Sequence, residues 1–387
     1  MASFTLFTFD GGGNQPPLIG IATELRNRGH AVRVAGYESQ RERFHETGLS
    51  FVALPRSGGY QAQSGDGMTV LMGMLRSIMC NPDHLSEVVE LAENQDAVVI
   101  DNLMMFALAA AERHRIPTAV LFHTAAEYFK PSPRRAPMLA ALNQIRAEHR
   151  LPPVGGPIDL TAFAAAVIVA VQPQLDEYSS EAGPRWHYVG PIFPPSGHFS
   201  ARLPGDEDDR RPLILVSLTT GLAWGPQRDR LQRILDALAP LPVRVIVTTG
   251  PTVAPGELQA PANAIAVRYW PHRQLMPHVA VCVTHGGHGT LAEALAGSVP
   301  VVVMPNPMSD QSYLADRVAF HGAGLAIDQD ARGAAIAAAV ERVLGNPAFR
   351  AKAGALGSQI DPAAATRAAD IVEKISAHSR QGETRDA

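Results

Sequence analysis

Residues Val281–Pro305 read VCVTHGGHGTLAEALAGSVPVVVMP. An apolar run, Val279–Thr284, ends in a His-Gly-Gly turn. The periodicity predicts a helix of small and apolar residues from about Thr290 to Ala296, stopped by Gly297. A second apolar run, Val301–Met304, ends at Pro305. This is a β-loop-α-β unit with glycines where a strand hands over to a helix. Such a turn leaves the first N–H groups of the helix without acceptors, and the aligned peptide dipoles add partial positive charge there. It is a place for phosphate. His285, at the strand tip, adds a donor. Glu293 lies about two helical turns farther on and offers a carboxylate to sugar hydroxyls.

The same alternation runs through the rest of the chain. Strands are expected at Phe4–Phe9, Ala31–Ala35, Ser50–Ala53, Ala97–Ile100, Thr118–Phe122, Ala164–Val171 and Trp186–Val189. Helices fall between them, among them Leu18–Arg28, Ser39–Glu46, Met68–Met79 and Leu103–His114. Gly190–Arg211 is rich in proline, glycine and charge and reads as a linker. Beyond it come strands Leu213–Leu218, Val243–Thr248, Ile265–Val267 and Leu325–Ile327, with helices at Pro226–Leu238, Gln311–His321, Ala334–Leu344 and Pro362–His378. Short links between alternating strands and helices imply parallel sheets covered on both faces. The fold class is therefore α/β. Gln381–Ala387 is expected to be disordered, and Arg56–Asp66, without any period, to be a mobile loop.

Composition narrows the class. At 387 residues the chain exceeds one ordinary domain, and two of about 190 residues fit the usual size. The formal charge is −4, with no basic stripe for nucleic acid. No apolar run reaches the roughly eighteen residues of a membrane span, and the first residues carry no basic region or cleavage site, so a cytoplasmic location is expected. Two cysteines, Cys80 and Cys282, are too few for a disulfide framework or a zinc site, and Cys282 reads as a small buried apolar residue.

The ordered set Tyr269-Trp270-Pro271-His272, Leu275–His278, His285–Thr290, Glu293-Ala294-Leu295 and Pro305 through Asp310-Gln311 resembles the nucleotide-sugar signature of the family 1, GT-B glycosyltransferases, in particular the antibiotic and macrolide branch. The resemblance implies two Rossmann-like domains facing across a cleft. Residues 1–205 would form the acceptor domain, residues 206–360 the nucleotide-sugar domain, and residues 361–387 a helix returning to the first domain plus a tail. It implies an inverting transferase that takes a sugar from a thymidine or uridine diphosphate donor to a small, apolar natural product. Thr219 or Thr220, His285, Gly287, Gly289 and Thr290 would hold the diphosphate. Tyr269 or Trp270 would meet the base, Glu293 the ribose, and Asp310 and Gln311 the sugar. No Asp-x-Asp motif is placed to hold a metal, and no cofactor is expected. A homodimer is compatible with the sequence.

The segment VVIDNLMMFALAAAERHRIPTAVLFHT, residues 98–124, resembles the one that carries the acidic half of the family's catalytic dyad, and Asp101 matches that acid. The methionine-rich stretch contributes Met68, Met72 and Met79 to an expected acceptor pocket, with Met104 and Phe106. The family's usual base is a histidine in the first glycine-rich turn. Here that position is Asn14, whose amide takes no proton at neutral pH. Three explanations stand. Asp101, His123 or Asp10 takes the proton; or the acceptor is an amide or amine nitrogen, an acidic phenol or an electron-rich carbon that Asn14 orients; or the protein binds without turning over. A nucleotide-sugar epimerase or a non-catalytic nucleotide-sugar-binding partner would share the fold.

Overall fold

The computed structural model describes residues 1–59, 67–194, 209–218, 227–307 and 309–386. The chain divides into two compact units, Met1–Pro195 with Asp361–Ala387, and Ser196–Ile360. The first unit is built from β1 (Ser3–Phe7), α1 (Gln15–Asn27), β2 (Ala31–Gly36), α2 (Arg41–Glu46), β3 (Ser50–Ala53), α3 (Gly67–Met74) and α4 (His84–Ala92). It continues with β4 (Ala97–Asp101), α5 (Met105–Arg113), β5 (Thr118–Phe122), α6 (Ala136–Glu148), β6 (Ala166–Val169) and β7 (Trp186–Tyr188). The second unit holds β8 (Leu213–Ser217), α7 (Arg228–Leu238), β9 (Arg244–Thr248), β10 (Ala264–Val267), α8 (His272–Leu275), β11 (Val279–Thr284) and α9 (His288–Ala296). It ends with β12 (Val301–Val303), α10 (Gln311–Phe320), β13 (Gly324–Ala326), α11 (Gly333–Gly345) and α12 (Pro347–Gly357), after which α13 (Ala364–Asp386) rejoins the first unit.

Each unit has one parallel sheet, in the order β3-β2-β1-β4-β5-β6-β7 and β10-β9-β8-β11-β12-β13. Strands β4 and β5 are buried along their whole length, as continuous apolar runs in a doubly covered parallel sheet must be. The order reverses between β1 and β4 in one sheet and between β8 and β11 in the other. Ligand crevices of open α/β sheets lie at such reversals, beyond the carboxyl ends of the strands.

The helices dock by their apolar faces. Leu18, Ile21, Ala22 and Leu25 of α1 are fully buried against Phe4, Leu6 and Val99 and against Ala368 and Val372 of α13. Each such leucine or isoleucine contributes about 1.5–3 kcal/mol over exposure. Arg28 adds bonds of 2.7 Å to both Asp370 and Glu373, so α13 is clamped to the end of α1.

Several elements depart from the periodic expectation. Helix α1 begins at Gln15, because Pro16 and Pro17 occupy its first turn, where a missing N–H costs nothing. Helix α9 begins at His288, two residues early. Helices α4, α6 and α12 were not expected. The methionine-rich stretch is α3 followed by a π-helical turn, Leu75–Met79, closed by Cys80 N–H to the Leu75 carbonyl at 2.8 Å. Helix α13 runs through Asp386, so the expected disorder of 381–386 does not hold: no proline follows Pro362, and helix formers continue to the end. Of the expected mobile loop, residues 60–66 lie outside the described residues. Its start is tied down, since the buried Glu87 carboxylate accepts from the N–H groups of Arg56 and Ser57 and from the Ser57 hydroxyl. Both cysteines are buried and free. Among the described residues no helix is long and apolar enough to cross a membrane.

Candidate active site

In the first unit the reversal of strand order brings together three residues that are far apart in sequence. Asn14 follows β1, Asp101 ends β4 and His123 follows β5, and these three strands are neighbours. Asp101 is wholly buried. Its Oδ2 accepts from His123 Nδ1 at 3.0 Å and from Asn14 Nδ2 at 3.3 Å, while its Oδ1 accepts from the Leu103 N–H at 2.9 Å. A carboxylate opposite Nδ1 holds that nitrogen in its protonated form and puts the lone pair of a neutral imidazole on Nε2. The Phe9 ring stands edge-on to the His123 ring, 6.5 Å between centroids. Asp101 does not cap α5, which starts four residues later with Met104 at its cap.

Asn14 is a scaffold for this pair. Its Nδ2 also faces the Thr8 hydroxyl and the Phe9 carbonyl, each at 3.0 Å, and its Oδ1 accepts from the Gly11 N–H at 3.2 Å. Two amide protons thus meet three protein acceptors, so Nδ2 is engaged within the protein. Gly12, at φ +76°, makes the turn that points Asn14 inward. Asp10 belongs to a separate cluster, with Gln15 Nε2 at 2.9 Å and the Ser39 hydroxyl at 2.7 Å.

The expected acceptor wall is revised. Met104 and Phe106 are 0% exposed and belong to the core, with Phe106 edge-on to the His149 ring. Helix α5 is apolar nearly all round and is covered all round, which composition alone does not separate from a pocket lining. Met79 is buried and Met72 half-buried, and the Met68 side chain lies outside the description.

In the second unit β11 hands over to α9 through His285-Gly286-Gly287. Gly286 has φ +88°, and a Cβ there would sit 2.7 Å from Val303 Cγ1, so only glycine lets the turn close onto β12. A Cβ on Gly287 would strike the His285 ring at 2.5 Å. Around Gly289, by contrast, a Cβ would meet nothing within 4 Å. The fold gives no reason for glycine there; open space lies over the first helical turn. The first intrahelical bond runs from Leu291 N–H to the Gly287 carbonyl at 3.0 Å. The N–H groups of His288, Gly289 and Thr290 precede it and have no acceptor within the helix.

His285 is half-buried, and its Nδ1 has no hydrogen-bond partner among the described residues. Burial lowers its pKa to about 4, with Arg230 and His272 adding to the effect and the Ser217 carbonyl opposing it. At neutral pH the ring is therefore uncharged, and it donates only through whichever nitrogen carries its single proton. Glu293 Oε2 lies 3.4 Å from His272 Nδ1. Tyr269 is 66% exposed and Trp270 only 6%, so the tyrosine presents the open ring and the tryptophan is packed away. Asp310 sits at the cap of α10, and the buried Gln311 uses its Oε1 to accept from the Asn306 N–H at 3.0 Å. Thr219 and Thr220 lie outside the described residues. Sequence reasoning passed over Arg230, a half-buried cation at the start of α7. Its one available signal was a basic first turn after a glycine-bearing loop.

Residues 232–377 match the family described as erythromycin biosynthesis protein CIII-like, C-terminal domain. The chain is 27% identical to 4'-demethylrebeccamycin synthase of Lentzea aerocolonigenes, over 95% of this chain and 98% of that protein. It is 28% identical to demethyllactenocin mycarosyltransferase of Streptomyces fradiae, over 82% of this chain and 74% of the relative. Among solved structures, the calicheamicin glycosyltransferase CalG4 shares the fold, with a TM-score of 0.74 and 22% identity over 97% of this chain and 98% of that one. Two parallel Rossmann-like sheets, a glycine-rich helix start at one strand reversal and these relatives lead to one conclusion: the chain has the GT-B fold and is similar, along nearly its whole length, to glycosyltransferases of antibiotic natural products.

Proposed function

We propose that this protein transfers a sugar, with inversion, from a thymidine or uridine diphosphate donor to a small, apolar natural product, and that His123 takes the acceptor's proton while Asp101 holds the imidazole. The observation that carries the assignment of the base is the 3.0 Å bond from His123 Nδ1 to the buried Asp101 carboxylate, at the carboxyl ends of two adjacent strands. A dyad of this kind makes Nε2 the proton acceptor. The usual histidine position is Asn14, and the imidazole comes from the end of β5 instead.

In the step itself, the acceptor oxygen or nitrogen forms a bond to the anomeric carbon, and its proton passes to His123 Nε2. The bond from that carbon to the diphosphate oxygen breaks, and the electron pair leaves on the diphosphate. The open N–H groups at the start of α9 and the neutral His285 donor receive the negative charge developing there. The reading calls on no metal. Tyr269 stacks on the base, Glu293 accepts from the ribose, and Asp310 with the Gln311 amide engages the sugar. The names of the two relatives support an aglycone of the natural-product kind. The half-buried Met72 and the buried Met79, on the stretch beyond the Glu87-anchored loop, support an adaptable apolar wall for it.

The test is incubation of the protein with thymidine and uridine diphosphate sugars and a panel of aglycones, with the anomeric configuration of product read by NMR. Product of inverted configuration, lost in His123→Gln, is expected. Neither transfer nor donor hydrolysis from any pair would refute the reading.

A further inference from the structure

The donor site as described contains no positive charge: His285 is neutral and the helix start offers only partial charge, while a departing diphosphate carries at least two full negative charges. Arg230 is a cation in the first turn of α7, the helix that follows β8, and β8 and β11 are hydrogen-bonded neighbours with Ser217 opposite Thr284. Its Nη2 donates to Gln329 Oε1 at 3.0 Å, in the turn after β13 that leads into α11. Helix α11 packs on β11 and β12 and against α7. The guanidinium therefore links the start of α7 to the turn before α11, at the carboxyl edge of the sheet, where His285 follows β11. A positive charge at Arg230 also disfavours protonation of that ring.

The cation is compensated only from a distance, by the Asp330 carboxylate. Arg230 is half-buried, and among the described residues no carboxylate lies within 4 Å of it; the nearby Asp330 pairs with Arg233 at 3.6 Å instead. Desolvating a guanidinium without a counterion in contact is costly. The cost is recovered when an anion arrives, and an arginine fork matches phosphate oxygens.

We infer that Arg230 is the cation of the donor site, pairing with the diphosphate as the bond to the sugar breaks. The inference rests on the donor reading above, with the nucleoside diphosphate at the start of α9. It divides the work at the leaving group: α9 and His285 supply neutral donors from one side, and Arg230 supplies the full charge from the β8–α7 side.

Calorimetric titration of thymidine 5'-diphosphate, uridine 5'-diphosphate and thymidine 5'-monophosphate tests it, on the unmodified protein, Arg230→Met and Arg230→Lys. Arg230→Met should weaken diphosphate binding by about 10- to 100-fold, the range of a charge-assisted hydrogen bond, and monophosphate binding far less. Arg230→Lys keeps the charge and should retain most of the affinity. The His285 imidazole, followed by NMR, should titrate higher in Arg230→Met, which also reports an intact fold. Equal diphosphate affinity in the unmodified protein and Arg230→Met overturns the inference alone. So does an equal loss for monophosphate and diphosphate. An unmodified protein that binds no nucleotide overturns the donor reading with it.

Discussion

The assignment of His123 as base is most sharply tested at Asp101. Asp101→Ala would take the Asp101 acceptor from the Leu103 N–H and from His123 Nδ1 in a fully buried place, at about 1–3 kcal/mol each, and would confound folding with catalysis, while Asn14 Nδ2 keeps the Thr8 hydroxyl and the Phe9 carbonyl. Asp101→Asn keeps the shape, and its remaining oxygen can still accept from Leu103. Its new amide then points donors at both Asn14 and His123. The imidazole can answer by moving its proton to Nε2, which restores the bond to Nδ1 but abolishes the lone pair that takes the acceptor's proton. Asn14 cannot adapt in this way, so one donor is left facing a donor, at about 1.5–3 kcal/mol of stability. The catalytic cost is that of a general base, about 10²- to 10⁴-fold in kcat. His123→Gln should lose the same kcat with little change in melting temperature, because no buried carboxylate bond other than its own is broken. Both variants should bind nucleoside diphosphate as the unmodified protein does. Steady-state release of nucleoside diphosphate with a hydroxyl acceptor, alongside thermal melts, measures all of this. A His123→Gln enzyme within about threefold of unmodified kcat, beside an inactive Asp101→Asn, would mean that Asp101 is itself the base.

Two neighbouring glycines should behave in opposite ways. Gly286→Ala combines a left-handed backbone with a 2.7 Å approach to Val303, and should cost about 2–4 kcal/mol in unfolding experiments. Gly289→Ala meets nothing within 4 Å, so it should leave stability unchanged or slightly raised yet weaken nucleoside diphosphate binding about tenfold or more. Stability should fall as pH drops. His84 and His285 both have pKa values lowered to about 4 by burial, so the unfolded chain takes up protons first. Their contribution is full above pH 6.5 and is lost progressively toward pH 4; the loss reaches about 2 kcal/mol each at pH 5, measurable by urea unfolding at stepped pH. Arg28→Ala should loosen α13 from α1 by about 1 kcal/mol, the value for partly exposed pairs, and speed amide exchange along α13.

The strand-turn-helix around His285 was legible in sequence because its logic is local. His285, the three glycines, Thr290 and Glu293 sit within nine residues, and one strand-turn-helix rhythm sets their relative positions. The limits of local reading show elsewhere. Met104 and Phe106 have the composition of a pocket wall and of a core alike, and only their coverage by neighbouring elements puts them in the core. Pro16 and Pro17 read as a turn, yet a first helical turn accepts them equally well. Arg230 carries no motif, and its place relative to His285 comes from the pairing of β8 with β11.

The amino-acid order by itself determined the α/β alternation, the two units and the glycine-rich turn before α9, since these follow from hydrophobic period and from backbone freedom at glycine. Which histidine Asp101 holds, whether Asn14 is spent on the scaffold, and the charge state of His285 were decided by tertiary structure alone. Strand adjacency brings residues 14, 101 and 123 within hydrogen-bond reach. Burial, a property of everything packed around a side chain, sets the protonation of His285.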